Sequence, residues 1–245
     1  MCTTAAKKIE FGWVLMKTRD PVRHMRWDDE IKLFDTDEDH CRKLIVQNPD
    51  SNEDGYYGGI NEHGVAFVST YVHVAENQVS YIRRPYVRLI LEAQTAKEAT
   101  EIIKSFNPRI GGNMLVADKY DCFGIEGIPS DYYVEQVHYS MVKTNHFVHF
   151  PFRNLGIDED DGFETWSRRH QERAEELIAG VSSVDDCMAL LRDRKYNEEG
   201  NAICSIEAED ECFTHSAFVF DTSSATAYYC QGNPLTSDFK SFGFE

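Results

Sequence analysis

Short apolar runs of β type alternate along this chain with two blocks of helical spacing. Residues 11–18, FGWVLMKT, stay apolar and uncharged until Lys17, which predicts a strand close behind the N-terminus with Arg19 and Asp20 at its far end. Residues 20–57 are charge-rich and lack a period, the pattern of a long surface excursion. Beyond Gly58-Gly59, residues 60–64 (INEHG) read as a turn and 65–71 as a β-rich run, with a further short strand expected over 79–82. Helices follow over 86–93 and from Thr95, where Thr95-Ala96-Lys97-Glu98 has capping-box spacing and Ile102 and Ile103 face inward.

The second half repeats this order. Residues 112–118 and 122–126 are β-type runs joined by the three-residue loop Lys119-Tyr120-Asp121, a hairpin by spacing. A strand over 132–139 leads to Val142-Lys143-Thr144-Asn145-His146-Phe147. Residues 165–179 have the composition and period of a helix, and Ser183-Val184-Asp185-Asp186 caps another, apolar at 184, 187, 188 and 191. Strands over 216–220 and 226–230 end the pattern. Strand blocks separated by helix blocks, with strands as hairpin neighbours, make this an α+β protein with antiparallel sheets; two stacked sheets covered outside by helices suit that order.

Composition adds exclusions. With 245 residues, 42% hydrophobic, the chain can bury a real core, and no linker-like run divides it, so one domain over 1–245 is expected. No stretch reaches the about 18 apolar residues of a membrane span. Lys7, Lys8 and Glu10 stand where a signal peptide would be apolar, so a cytoplasmic protein is expected. A formal net charge of −17 disfavours nucleic acid and anionic membranes as partners. Much of the acid sits in the runs 35–39 and 158–161, read as solvated loops. Seven cysteines, at 2, 41, 122, 187, 204, 212 and 230, form no CxxC pair. They are expected to be buried small hydrophobes, Cys2 excepted.

Cys2 carries the sharpest chemistry. Removal of Met1 would leave a thiol and a free α-amine on one residue, with ordinary pKa values of about 8.5 and about 8. The amine can then take the thiol proton and later deliver it to a leaving group, without a partner histidine. The mature chain is expected to begin at Cys2.

Met1-Cys2-Thr3, the strand ending in Thr18-Arg19-Asp20, Gly59-Ile60-Asn61-Glu62-His63-Gly64-Val65, Gly111-Gly112-Asn113 through Asp118 to Ile125-Glu126, and Thr144-Asn145-His146-Phe147 before an Arg-rich helix recur in one order over nearly the whole chain. Together they resemble an N-terminal nucleophile hydrolase of the choloylglycine hydrolase and penicillin V acylase group, or an acyl-coenzyme A:6-aminopenicillanate acyltransferase-like cysteine peptidase. The resemblance implies a four-layer αββα sandwich and hydrolysis or acyl transfer at a linear, non-peptide amide. It implies a small acyl-amide substrate, and no metal or cofactor.

The same resemblance assigns roles residue by residue. Cys2 matches the nucleophile, and Asn145 the asparagine whose side-chain amide donates to the oxyanion, worth about 3 kcal/mol for one preorganised donor. Tyr71 falls where a backbone N–H supplies the second donor. The bile-salt branch has Arg-Asn-x-Asp where this chain reads Thr18-Arg19-Asp20-Pro21; a neighbouring branch has Asn-Arg-Asp-Glu, whose central pair Arg19 and Asp20 match. An arginine lowers the pKa of a nearby thiol and a carboxylate orients an ammonium. In residues 166–173 one arginine is expected to point back into the pocket, Arg169, on the helix face of Arg173. His146 and His149 are read as ordinary packing or surface residues. Tyr56, Tyr57, Trp27 and Tyr71 suit either a pocket mouth or a core. A catalytically silent protein of this fold is the alternative function, and homo-oligomerisation is left open.

Overall fold

The computed structural model describes residues 2–21, 28–35, 40–49, 55–72, 84–106, 110–128, 130–149, 163–195, 202–206 and 212–244. In chain order these form β1 (Thr4–Ile9), β2 (Gly12–Arg19), β3 (Glu30–Phe34), β4 (Lys43–Gln47), β5 (Tyr56–Asn61), β6 (Ala66–Thr70), α1 (Arg84–Ile90), α2 (Ala96–Ser105), β7 (Gly112–Ala117), β8 (Cys122–Ile128), β9 (Asp131–Gln136), β10 (Ser140–Lys143), α3 (Phe163–Ile178), α4 (Val184–Leu190), β11 (Ser216–Asp221), β12 (Thr226–Gln231) and β13 (Lys240–Phe242). One sheet has the order β10-β1-β2-β11-β12-β13 and the other β3-β4-β5-β6-β7-β8-β9. Every pairing is antiparallel.

Side chains alternate across a strand, so one sheet has two faces to cover. From β2, Trp13 and Leu15 meet Leu44, Ile60, Val68 and Leu115 of the facing sheet, with Phe218 and Phe220 beside them. Val14 and Met16 turn the other way, onto Ala174, Ile178, Cys187 and Leu190 of α3 and α4. The second sheet repeats this, with Phe67, Val116 and Ile125 under Val87, Ile90, Ala99 and Ile103 of α1 and α2. The layers are therefore helix, sheet, sheet, helix: an αββα sandwich. Burial of both faces explains why β2 reads as a continuous apolar run rather than an alternating one. Among the described residues no helix is long and apolar enough to cross a membrane.

Residues 20–57 are not a surface excursion, because they contain β3, β4 and the start of β5. β4 is buried throughout, but its apolar stretch is only Leu44-Ile45-Val46, too short to declare a period. Its flanking Lys43 is buried by pairing with Glu92 and donating to the Cys41 carbonyl at 2.9 Å. β3 is an edge strand with largely exposed side chains, so no hydrophobic pattern marks it. β1 is an unexpected strand as well: its alanines and lysines have little β preference, and pairing with β2 and β10 fixes it. β13, a three-residue edge strand, was equally unmarked.

The strand expected over 132–139 ends at Gln136, as β9. Val137 donates to Cys122 O at 2.8 Å, after which the chain leaves β8 and crosses to pair with β1 as β10. The turn expected over 60–64 starts later, because β5 runs through Gly58-Gly59 to Asn61, and its glycines are required: a Cβ at Gly59 would lie 2.6 Å from Leu91 Cδ1, and one at Gly58 2.8 Å from Phe67 O. Ser183 and Asp186 form the reciprocal capping box, whereas Glu98 caps the Gln94 N–H while Thr95 caps Glu98. The strand expected over 79–82, the acidic residues 36–39 and 158–161, and Trp27 lie outside the described residues.

Candidate active site

Six strand ends converge at one pole of the sandwich. Pairing of Thr4 with Lys17 on one side and Lys143 on the other continues past β1, with Thr18 N donating to Thr3 O at 2.9 Å. Cys2 thus arrives beside the end of β2, where Arg19 stands, and beside Thr144-Asn145, which leave β10. On the other flank of β2, Arg19 pairs with Ser216 and its carbonyl accepts His215 N–H at 2.8 Å. The facing sheet contributes Tyr71, just past β6, and Asn113, paired with Thr70 at the start of β7.

Asn145 joins the nucleophile candidate to the facing sheet. Its Oδ1 accepts the Cys2 backbone N–H at 2.7 Å, and its Nδ2 donates to Tyr71 O at 2.7 Å. Tyr71 therefore meets Asn145 through its carbonyl. A side-chain amide carries two N–H bonds; the second of Asn145 has no partner among the described residues.

The loop carrying Asn145 is held by polar groups that are themselves buried. Asn113 Nδ2 donates to the carbonyls on both sides, Thr144 O at 2.8 Å and His146 O at 2.9 Å, and Thr70 Oγ1 adds a bond to Thr144 O. Asn145 N donates to Ser167 Oγ on α3 at 2.8 Å. Glu126, fully buried, accepts Lys143 Nζ at 2.6 Å and the N–H groups of Val148 and His149, tying both ends of the segment. Burial raises the Glu126 carboxyl, but Lys143 and these donors outweigh it and hold the pKa below the ordinary glutamate value.

Arg19 is 5% exposed. Its Nε lies 3.0 Å from Asp29 Oδ2, Nη2 donates to Tyr57 OH at 2.6 Å, and the guanidinium carbon sits 4.0 Å from the centroid of the Tyr57 ring. Burial disfavours the charge, but Asp29, Tyr57 and Cys2 outweigh it and raise the pKa above the ordinary arginine value. For Asp29, burial dominates and pushes the carboxyl up to about 6 despite Arg19 and the Ser216 hydroxyl. The pair is ionic at neutral pH. Lys17, facing the same way one alternation earlier on β2, donates to Ser69 O in the opposite sheet.

Asp20 turns to the other side of β2. Burial pushes it up to about 6 as well, against hydrogen bonds from Thr214 and Thr18. Thr18 Oγ1 donates to Asp20 Oδ2 at 2.9 Å and accepts Thr3 N–H at 3.0 Å. Where the bile-salt pattern would have an arginine, this chain thus has a hydroxyl that connects the residue after Cys2 to the carboxylate.

The structure brings Cys2, Arg19, Asp20, Tyr71 and Asn145 together and leaves Arg169 out. Arg169 is exposed on the outer helix α3, while Arg173 is the arginine that turns inward, paired with Asp193 at 2.7 Å and Glu176 at 2.9 Å. The helical spacing that suggested a shared face does not put Arg169 on the buried stripe of α3, which runs through Ser167, His170 and Ala174. His146 Nδ1 lies 2.8 Å from Ser167 Oγ, and His149 is stacked on Tyr133 between Glu126 and Glu135. Tyr56 is core, in contact with Phe34, whereas Tyr57 lies against Arg19. All seven cysteines are free thiols, and Cys212 joins Cys2 in being only half-buried. Sequence reasoning missed Asp29 and the positioning roles of Thr18 and Asn113; Thr18 and Asn113 carried a signal, in the Thr18-Arg19-Asp20 and Gly-Gly-Asn runs.

A family model described as acyl-coenzyme A:6-aminopenicillanic acid acyl-transferase matches residues 14–236. No curated protein matches the sequence. Among solved structures, a mutant of conjugated bile acid hydrolase from Clostridium perfringens superposes with a TM-score of 0.57 at 11% identity, covering 100% of this chain and 97% of that one. Penicillin V acylase from Agrobacterium tumefaciens gives 0.54 at 11% identity, with 100% and 86% covered. At that identity these two establish likeness of fold. The match over residues 14–236 goes further, and the chain belongs to the acyl-coenzyme A:6-aminopenicillanic acid acyl-transferase family, within the N-terminal nucleophile hydrolase superfamily.

Proposed function

We propose that this protein is an N-terminal cysteine hydrolase or acyltransferase that cleaves a linear, non-peptide amide through an acyl-enzyme. The observation that carries this is the 2.7 Å bond from the Cys2 backbone nitrogen to Asn145 Oδ1, which makes that nitrogen part of the site. The mechanism requires Cys2 to become N-terminal, so that the bonded nitrogen is an α-amine. The amine accepts the thiol proton, the sulfur attacks the amide carbonyl, and a C–S bond forms as the carbonyl oxygen takes negative charge. The second N–H of Asn145 donates to that oxygen. As the C–N bond breaks, the amine proton passes to the leaving nitrogen. Water or another acceptor then attacks the thioester and Cys2 is regenerated.

Arg19 supplies a fixed positive charge beside the sulfur, and Asp20 holds the entering strand through Thr18. The substrate is a small acyl amide, and the protein works in the cytoplasm. The test is acylation by an electrophilic acyl probe, 4-nitrophenyl acetate, with the label located by peptide mass, followed by a panel of acyl amides with product mass analysis. Label on Cys2 and its loss in Cys2→Ser are expected. Labelling elsewhere, or none, would overturn the assignment.

A further inference from the structure

We propose that Asp29 is a positioning residue for Arg19: it grips the guanidinium from its Nε side, and so acts on the reaction at Cys2 only through Arg19. This rests on the function proposed above.

A guanidinium is a rigid planar fork, so fixing two of its nitrogens fixes where the third stands. In Arg19, Nε is held by Asp29 at 3.0 Å and Nη2 by Tyr57 OH at 2.6 Å, with the Tyr57 ring against the cation. Nη1 is buried and has neither a hydrogen bond nor an ion-pair partner among the described residues, whereas Nε, which also makes no hydrogen bond, is held by the charge of Asp29. The ion pair on one side and the hydrogen bond on the other therefore hold the guanidinium with Nη1 left over, on the strand end beside Cys2.

Asp29 is in turn fixed from the neighbouring strands. Ser216, the cross-strand partner of Arg19, donates through Oγ to the same Oδ2 at 3.1 Å. Tyr229 OH donates to the Asp29 backbone carbonyl at 2.7 Å. The carboxylate thus stands between β2, β11 and β12 and turns their register into an orientation of Arg19. Stability does not account for this pair, since desolvating two charges offsets their attraction and a well-packed apolar pair would serve the fold as well. A carboxylate held against the Nε side does account for it, because its charge draws that side of the fork towards β11 while Tyr57 holds Nη2.

Acting through Arg19 has a kinetic signature distinct from a structural role. The acylation rate of Cys2 by 4-nitrophenyl acetate, read as 4-nitrophenolate release, is measured for the native protein, Asp29→Asn, Arg19→Gln and the double variant, with folding checked by melting. Each single variant is expected to lose about tenfold or more, and the double variant to be no slower than Arg19→Gln alone. Losses that multiply, or an unchanged Asp29→Asn, would overturn the inference. If Asp29→Asn does not fold, Ser216→Ala takes its place: it leaves the carboxylate and loosens it. A loss that disappears in the Arg19→Gln background supports the inference, and one that persists there, or no loss, overturns it. Native protein that takes no label at Cys2 would instead defeat the function proposed above.

Discussion

The side-chain oxygen of Asn145 accepts the backbone N–H of Cys2, 143 positions away, while the amide nitrogen of the same side chain donates to Tyr71 in the opposite sheet. One residue thereby holds the nitrogen that the proposed mechanism uses as base and keeps a second N–H without a partner among the described residues. The two halves of the amide do different work, and they can be separated.

Asn145→Ala removes both halves and is expected to lower the acylation rate by about a hundredfold or more, as loss of an oxyanion donor does. Asn145→Asp keeps an acceptor for the Cys2 nitrogen and removes the donor. It should therefore lose most of the rate while Cys2 remains alkylated by iodoacetamide. Charge on the oxyanion develops in the transition state, so in steady-state assays the loss belongs in kcat rather than KM.

Asn113 is expected to matter at one remove. Asn113→Ala withdraws the bonds to Thr144 O and His146 O from a fully buried site. Thr144 O keeps its bond from Thr70 Oγ1, but His146 O loses its donor, which costs about 1–3 kcal/mol and which denaturant unfolding would read as a lower midpoint at unchanged slope. Asn113→Asp should fare no better, since a carboxylate cannot donate.

The parts of this site that could be read from the chain are those in which local spacing and chemistry coincide. Cys2 next to Met1, Arg19-Asp20 at the end of an apolar run, and Asn145 at the end of another announce themselves because strand ends are where a sandwich gathers polar side chains beyond its apolar core. Arg169 misled because a helix face can be inferred from spacing without knowing which face the sheet covers. Asp29 was invisible for a different reason. It lies in a segment where β4, buried throughout, has three consecutive apolar residues, and its meaning comes from Arg19 and Ser216, which tertiary structure alone brings to it. β1 shows the same limit in the fold, since its alanines and lysines gain strand character from β2 and β10.

Thr18 gives a test of fine structure. Its hydroxyl accepts from Thr3 N–H and donates to Asp20, a relay between the strand that delivers Cys2 and a buried carboxylate. Thr18→Val preserves shape and breaks both bonds, so a destabilisation of about 1–3 kcal/mol is expected, with slower acylation of Cys2. Thr18→Ser keeps the hydroxyl and should restore the rate more fully than the stability. Equal acylation rates for the valine and serine variants would show that the relay is irrelevant to the chemistry.

Asp20 predicts how stability depends on pH. Burial raises its folded pKa to about 6, above the about 3.9 of an unfolded aspartate. The folded protein therefore binds a proton that the unfolded chain has released between those values, and stability from this group falls as pH rises towards 6. Above about 6 the cost of the buried charge is fully present, and between pH 5 and 7.5 it grows by about 1.4 kcal/mol. Asp20→Asn carries no such charge. Its stability relative to the native protein should accordingly be greater at pH 7.5 than at pH 5 by about that amount, measured by urea titration at both values. Asp29 and the other groups titrate in both proteins and cancel in this comparison. A difference that does not change with pH would mean that Asp20 is not titrating near 6, while a difference of the opposite sign would mean that its partners hold it below the ordinary aspartate value.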